Sequence, residues 1–188
     1  VVNRSLRIAG DEMDEAIVNY IRLRHGLLLG EATAEEIKIQ IGSAYAQRQK
    51  STLRQRFGRE GKSQNEKIGD RVMVVRGRDL ESGLPRSLKI TETEVREALM
   101  PIVAQIIEAI AETLEETPPE LISDILERSI ILTGGGAQLL GLDQLIVERT
   151  KMPVTLADDP LTTVVRGCAR VLEDGALLEK VRVTGGLA

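Results

Sequence analysis

The segment SIILTGGGAQLLGLDQL constrains the fold more than any other part of the chain. Residues 129–133 form a short apolar, β-branched run that reads as a buried strand. Three glycines follow, Gly134, Gly135 and Gly136, and then a helix over 139–150. Strand, glycines and helix in that order let backbone approach a neighbour closely. Glycine has no Cβ to collide, and a helix N-terminus carries free N–H groups. The loop does not match the dinucleotide fingerprint and lacks the lysine of a P-loop. A ligand loop and a tight strand–helix turn packed on protein both fit these residues. PVTL at 153–156 reads as the next strand. ADDPLTTVVRGCARVLED then reads as a helix, with Asp159 as cap and Pro160 in its first position. Strands alternating with helices require an α/β layer with parallel pairing.

The first half is punctuated differently. Residues 2–8 read as a strand that Gly10 breaks, and Asp11 caps a helix. Met13, Ile17 and Ile21 recur every four residues, with Val18 and Leu28 nearby, so one helical face is apolar. Gly26 is placed to end that helix. Thr33 and Glu36 have capping-box spacing for a second helix that stops at Gly42. RVMVVR at 71–76 and RSLKIT at 86–91 read as antiparallel strands around a polar tip, GRDLESGLP. Thr91 and Glu94 make another capping box. Val95, Leu99, Ile102, Ile106, Ile110 and Leu114 mark a long amphipathic helix, which Pro101 is expected to bend or break. Pro118 and Pro119 close it and open a short helix ending near Arg128.

Several function classes are excluded by composition. There is no Trp, one Phe and two Tyr, so the core is aliphatic and no aromatic platform exists for single-stranded nucleic acid. The net charge of −4 gives no global basic field, so nucleic acid is not expected as a partner. The single cysteine, Cys168, fits a reducing compartment and reads as a small buried hydrophobe. No apolar run is long enough to span a bilayer. Residues 47–70 stand apart, with seven Lys/Arg, three Asp/Glu and almost no apolar residues. That stretch reads as a mobile basic loop. Val1 opens within what reads as a core strand, which suggests a portion of a longer protein.

Few residues suggest chemistry. Glu35 and Lys38 share a helix face, either as a surface ion pair or as a polar clamp for a ligand's hydroxyls and ring nitrogens. Gly10, Asp11 and Glu12 are explained by a strand end and a helix cap. Asp158 and Asp159 read as helix-opening residues rather than a metal pair. Gly61-Lys62-Ser63 fails as a P-loop, because Arg56 stands where the first glycine is needed and no buried strand precedes it. His25 is the only histidine and reads as exposed, which argues against a zinc site or a histidine-based triad. No catalytic residues are assigned.

Taken together, RIAGDEMDEAI, GEATAEEIKIQIGSA, RGRDLESGLPRSL, TPPELISDILERSIILTGGGAQLLGLDQL and ADDPLT resemble the MreB family of bacterial actin homologues. The resemblance covers nearly the whole chain apart from residues 47–70. It implies the second half of an α/β, actin-like (ribonuclease H-like) ATPase fold, with a truncated mixed sheet and a smaller α/β lobe. The larger part would comprise residues 1–30 and 115–188, and the smaller part 31–114. The truncated sheet would have an open edge. By the same resemblance, Gly134, Gly135 and Gly136, with Thr133, lie against adenosine. Glu35 and Lys38 flank the base and ribose, and Gly10 faces the nucleotide from the strand end. The implied cofactor is ATP with Mg²⁺. The implied activity is ATP-dependent assembly of cytoplasmic, membrane-associated filaments that direct cell-wall synthesis and cell shape. The implied partners are further copies of the protein and the wall-elongation machinery.

Two departures qualify the resemblance. The DxGT and DIGGGT phosphate loops do not occur in these residues and would precede residue 1, together with the membrane-contacting segments. The chain alone is therefore expected to contact adenosine weakly and to hydrolyse nothing. The basic stretch 47–70 is longer than the family's usual connection, and is expected to tune filament contacts or to be a tolerated insertion. An Hsp70-type ATPase fragment and a non-nucleotide adaptor on the actin fold are the alternatives. The hairpin argues against the first.

Overall fold

The computed structural model describes residues 2–45 and 70–181. The basic stretch read at 47–70 lies outside them except for Asp70. The element order is α1 (Gly10–His25), β1 (Leu27–Leu28), α2 (Glu31–Ile41), β2 (Val72–Asp79), β3 (Pro85–Thr91), α3 (Glu92–Glu115), α4 (Pro119–Arg128), β4 (Ile130–Leu132), a 3-10 turn (Gly135–Gln138), α5 (Leu142–Thr150), β5 (Val154–Leu156), α6 (Thr163–Glu173) and α7 (Gly175–Val181).

The described strands form two sheets. In the first, β1, β2 and β3 run antiparallel in that order, with Val75 opposite Leu88 and Met73 opposite Ile90. In the second, β4 and β5 pair in parallel, Ile130 with Val154 and Leu132 with Leu156. The chain is thus mixed α/β, with the parallel pair where the alternating pattern requires it.

One aliphatic core ties these parts together. Ile17 of α1, Leu27 of β1, Ile37 of α2, Leu99 and Val103 of α3 and Ile146 of α5 are all fully buried in it. Burying such a side chain contributes about 1.5–3 kcal/mol. A core with no Trp and no buried Phe among the described residues therefore rests on many aliphatic contacts.

Local signals set several boundaries. Gly26 ends α1 in the left-handed region, φ 62°, and its N–H donates to the Arg22 carbonyl. Gly42 ends α2. The Thr91–Glu94 capping box opens α3, and Pro119 opens α4.

Other expectations are corrected. Residues 2–8 form no strand, because among the described residues no neighbouring strand pairs with them. At the start of α1 the cap is Ala9, and it is Glu12, not Asp11, whose carboxylate accepts the Ala9 N–H at 2.7 Å. Thr33 and Glu36 do not cap α2, which starts earlier with Gly30 as its cap. Pro101 does not break α3, which runs through it without interruption. The most buried positions of α3 after Leu99 are Val103 and Ile107, and the expected Ile102, Ile106 and Ile110 lie beside them, only partly buried against the same core. Asp159 does not cap α6. Thr162 does, and Asp159 instead holds the preceding turn by accepting from the Thr162 hydroxyl. The strand predicted as buried is only partly so: Ile131 of β4 is 64% exposed. Cys168 is exposed on α6. The apolar faces of α4 and α6 likewise point outward, with Leu126, Val164, Val165 and Leu172 uncovered among the described residues.

Candidate functional site

Glu35 and Lys38 do not pair with each other. Lys38 turns towards α1, where its ammonium donates to Asp14 Oδ2 at 2.7 Å and to the Gly10 carbonyl at 3.0 Å. The Lys38 and Asp14 side chains are only 16% and 11% exposed, so this ion pair is largely shielded from water. Its tightness follows from how α1 and α2 pack through Met13, Ile17, Ala34 and Ile37. Glu35, one turn earlier on α2, stays exposed, and Glu36 accepts from Gln40. Asp14 was missed in the sequence. A carboxylate one position along from the apolar Met13 reads as solvated until α2 is laid across it.

Gly10 itself sits at the first position of α1. A Cβ added there would stand 3.3 Å from the Lys38 ammonium nitrogen. Glycine at this position leaves the ammonium room to lie against the helix end.

The glycine triplet follows β4 as a bend, not directly as a helix. The Gly134 N–H donates to the Pro160 carbonyl at 2.8 Å. The Thr133 hydroxyl reaches the same carbonyl at 3.5 Å. Gly134 takes φ 89°, a conformation that a side chain resists. The chain then enters the 3-10 turn, where Ala137 N–H bonds back to the Gly134 carbonyl. The Gly135 and Gly136 amides lie ahead of that first bond, among the orphan donors of a helix start. A Cβ at Gly134 or Gly136 would meet nothing within 4 Å, whereas one at Gly135 would touch Leu161 at 3.4 Å. The loop therefore borders open space on two of its three residues.

The end of α2 and the glycine turn are joined by backbone. Ala44 N–H donates to the Leu140 carbonyl at 2.8 Å, and Ser43 forms a parallel bridge with Leu140. The segment leaving α2 is thereby tied to the segment leaving the glycine turn. Gly141 completes the junction, since a Cβ there would come within 2.8 Å of the Tyr45 Cβ. Gly10 and Lys38 are thus in direct contact, and the triplet is linked to α2 through residues 43–44 and 140. Among the described residues there is no group of His, Cys, Asp and Glu arranged to hold a metal ion.

A family model described as MreB/Mbl protein matches residues 1–180, which takes in both the ion pair and the glycine turn. The chain belongs to the MreB/Mbl family. It is 46% identical over 175 residues to the cell shape-determining protein MreB of Escherichia coli K12, covering 92% of this chain and 44% of that protein. It is 40% identical over 184 residues to the cell shape-determining protein Mbl of Bacillus subtilis 168, covering 98% of this chain and 49% of that protein. The chain thus spans about half the length of these MreB/Mbl relatives. Among solved structures, MreB5 of Spiroplasma citri bound to ADP superposes with a TM-score of 0.79 at 32% identity, over 95% of this chain and 48% of that one. The MamK double helical filament superposes with a TM-score of 0.66 at 24% identity, over 90% and 46%, a likeness of fold alone. This MreB/Mbl chain therefore has a partial actin-like fold, as the sequence led one to expect.

Proposed function

We propose that this chain supplies the adenosine-binding side of an ATP-dependent, filament-forming bacterial actin that directs cell-wall synthesis and so sets cell shape. The observation that carries the reading is the MreB/Mbl family match across both the Lys38 ion pair and the glycine turn. The likeness to an MreB5 bound to ADP supports it.

The residues present fit an adenosine. Gly134 and Gly136 border open space, so a flat ring can approach the backbone without displacing a side chain. Lys38 has three ammonium protons, and two are held by Asp14 and Gly10. The third is available to a ribose oxygen or a ring nitrogen. Glu35, exposed one turn earlier, offers an acceptor on the same helix. In this reading Thr133 lies against the adenosine with the glycine turn, and Gly10 faces the nucleotide from the start of α1. When bound, ATP supplies the phosphoanhydride whose hydrolysis drives the assembly cycle. Mg²⁺ in this reading is held by phosphate oxygens and by loops outside these residues. In the same reading residues 1–30 and 115–188 form the larger lobe and 31–114 the smaller one. The filaments are cytoplasmic and membrane-associated, and the partners are further copies and the wall-elongation machinery.

The test is to titrate the protein at its natural length with a labelled ATP analogue, then sediment it with and without ATP. Saturable binding and ATP-dependent pelleting are expected. Pelleting without any nucleotide binding would instead favour an adaptor built on the actin fold. Binding without pelleting would remove the filament part of the reading.

A further inference from the structure

Asp14 presents a chemical asymmetry. Its Oδ2 holds the Lys38 ammonium at 2.7 Å, while its Oδ1 is buried and has no hydrogen-bond partner in the protein. The residue is 8% exposed. A buried carboxylate oxygen left without a donor is costly, and a carboxylate with a merely structural task is ordinarily served on both oxygens. With one oxygen unserved, the charge of Asp14 is balanced chiefly by the Lys38 ammonium. The ammonium is drawn against the start of α1, where the Gly10 carbonyl takes a second proton at 3.0 Å. Two anchors on a tetrahedral ammonium determine the direction of its third N–H.

We propose that Asp14 is a positioning residue of the adenosine site: it orients the Lys38 ammonium so that its remaining N–H meets the nucleoside of an adenine nucleotide. This rests on the reading of an adenosine site given above. Asp14 does not touch the ligand. It acts through Lys38, and glycine at position 10 is part of the same device, because a Cβ there would press on the ammonium from 3.3 Å.

The experiment measures ADP affinity in the protein at its natural length for wild type, Asp14→Asn, Asp14→Glu, Lys38→Met, Gly10→Ala and the Asp14→Asn/Lys38→Met pair. Losing a charge-assisted hydrogen bond corresponds to roughly tenfold in affinity. Asp14→Asn is expected to weaken ADP binding about tenfold, with Asp14→Glu recovering most of it because the carboxylate returns. In the Lys38→Met background, Asp14→Asn is expected to cost less than about twofold, since the group it acts through is gone. Gly10→Ala is expected to weaken binding several-fold and serves as an independent probe should Asp14→Asn fail to fold. An equal loss in both backgrounds, or Asp14→Glu as impaired as Asp14→Asn, overturns the proposal and leaves a structural ion pair. Unchanged ADP binding in Gly10→Ala and Asp14→Asn also overturns it, while the adenosine site stands. Wild type that binds no ADP removes the adenosine reading itself, and the proposal with it.

Discussion

His25 Nε2 lies 2.9 Å from Glu94 Oε1, and this contact fastens the last turn of α1 to the first turn of α3. Glu94 also closes the capping box, accepting from the Thr91 N–H at 3.0 Å and the Thr91 hydroxyl at 3.1 Å. Burial pushes the Glu94 carboxyl up, but the Thr91 hydrogen bonds and His25 together outweigh it, and the net shift is below the ordinary value of 4.5. A carboxylate lowered in the folded state stabilises the protein above its unfolded value. That contribution is lost as pH falls through the lowered folded value. Glu94→Gln is therefore expected to destabilise the protein at neutral pH by about 0.5–2 kcal/mol, the range for a helix cap. It is also expected to lessen the loss of stability below pH 4.5. Urea unfolding of both proteins across the acid range measures this, and parallel pH profiles would refute it.

Tyr20 should titrate late. Its hydroxyl donates to Glu97 at 2.7 Å and accepts from Arg24 at 2.8 Å. Burial first, and then the hydrogen bond and charge of Glu97, push the phenol up to about 12. A raised folded value means that the stabilisation is complete below the unfolded value near 10 and is lost as pH rises through 12. Ultraviolet titration of phenolate absorbance should show a step near 12 that Tyr20→Phe removes. A single step near 10 in wild type is the adverse result.

Gly77 is needed for the three-stranded sheet. A Cβ there would lie 2.3 Å from the Leu28 carbonyl and 2.9 Å from the Leu27 side chain. These are the strand residues that pair with Asp79 and Arg78. Gly77→Ala must therefore part β1 from β2, and a loss of about 1–3 kcal/mol is expected, as for overpacking a core. Thermal unfolding reads it, and an unchanged melting temperature would contradict the packing described.

Gly136 separates the ligand role of the glycine turn from a structural one. Its φ is not in the left-handed region and a Cβ there meets nothing within 4 Å, so a side chain can be accommodated. Gly136→Leu is expected to change the unfolding free energy by no more than about 0.5 kcal/mol, as at an open surface site. It should weaken ADP binding at least about tenfold by filling the space that the proposed function assigns to adenosine. Unaltered ADP affinity would count against the glycine turn as a nucleotide loop.

Much of the backbone was legible in the sequence because its signals act within a few residues. Gly26 supplies a left-handed cap, Thr91 and Glu94 bond each other across one turn, and Pro119 opens α4. The strand, glycine and helix order around residue 134 is observed, with a 3-10 turn interposed. Two failures show a local pattern overruled by its surroundings. Residues 2–8 have strand-like residues but no paired strand among the described residues, and Thr33 has capping spacing on a helix that had already begun at Glu31.

What the sequence by itself determined is where α1 and α2 stop, where α3 and α4 start, which face of α1 is apolar, and the family to which the chain belongs. Only the tertiary structure decided the partners of the site residues. Lys38 has Glu35 three positions away, yet its partner is Asp14 on another helix, 24 positions back. The physical reason is burial. In water the two carboxylates are near equivalents, but α1 packed on α2 removes Asp14 from solvent and makes its charge far more dependent on the ammonium, while Glu35 keeps its hydration.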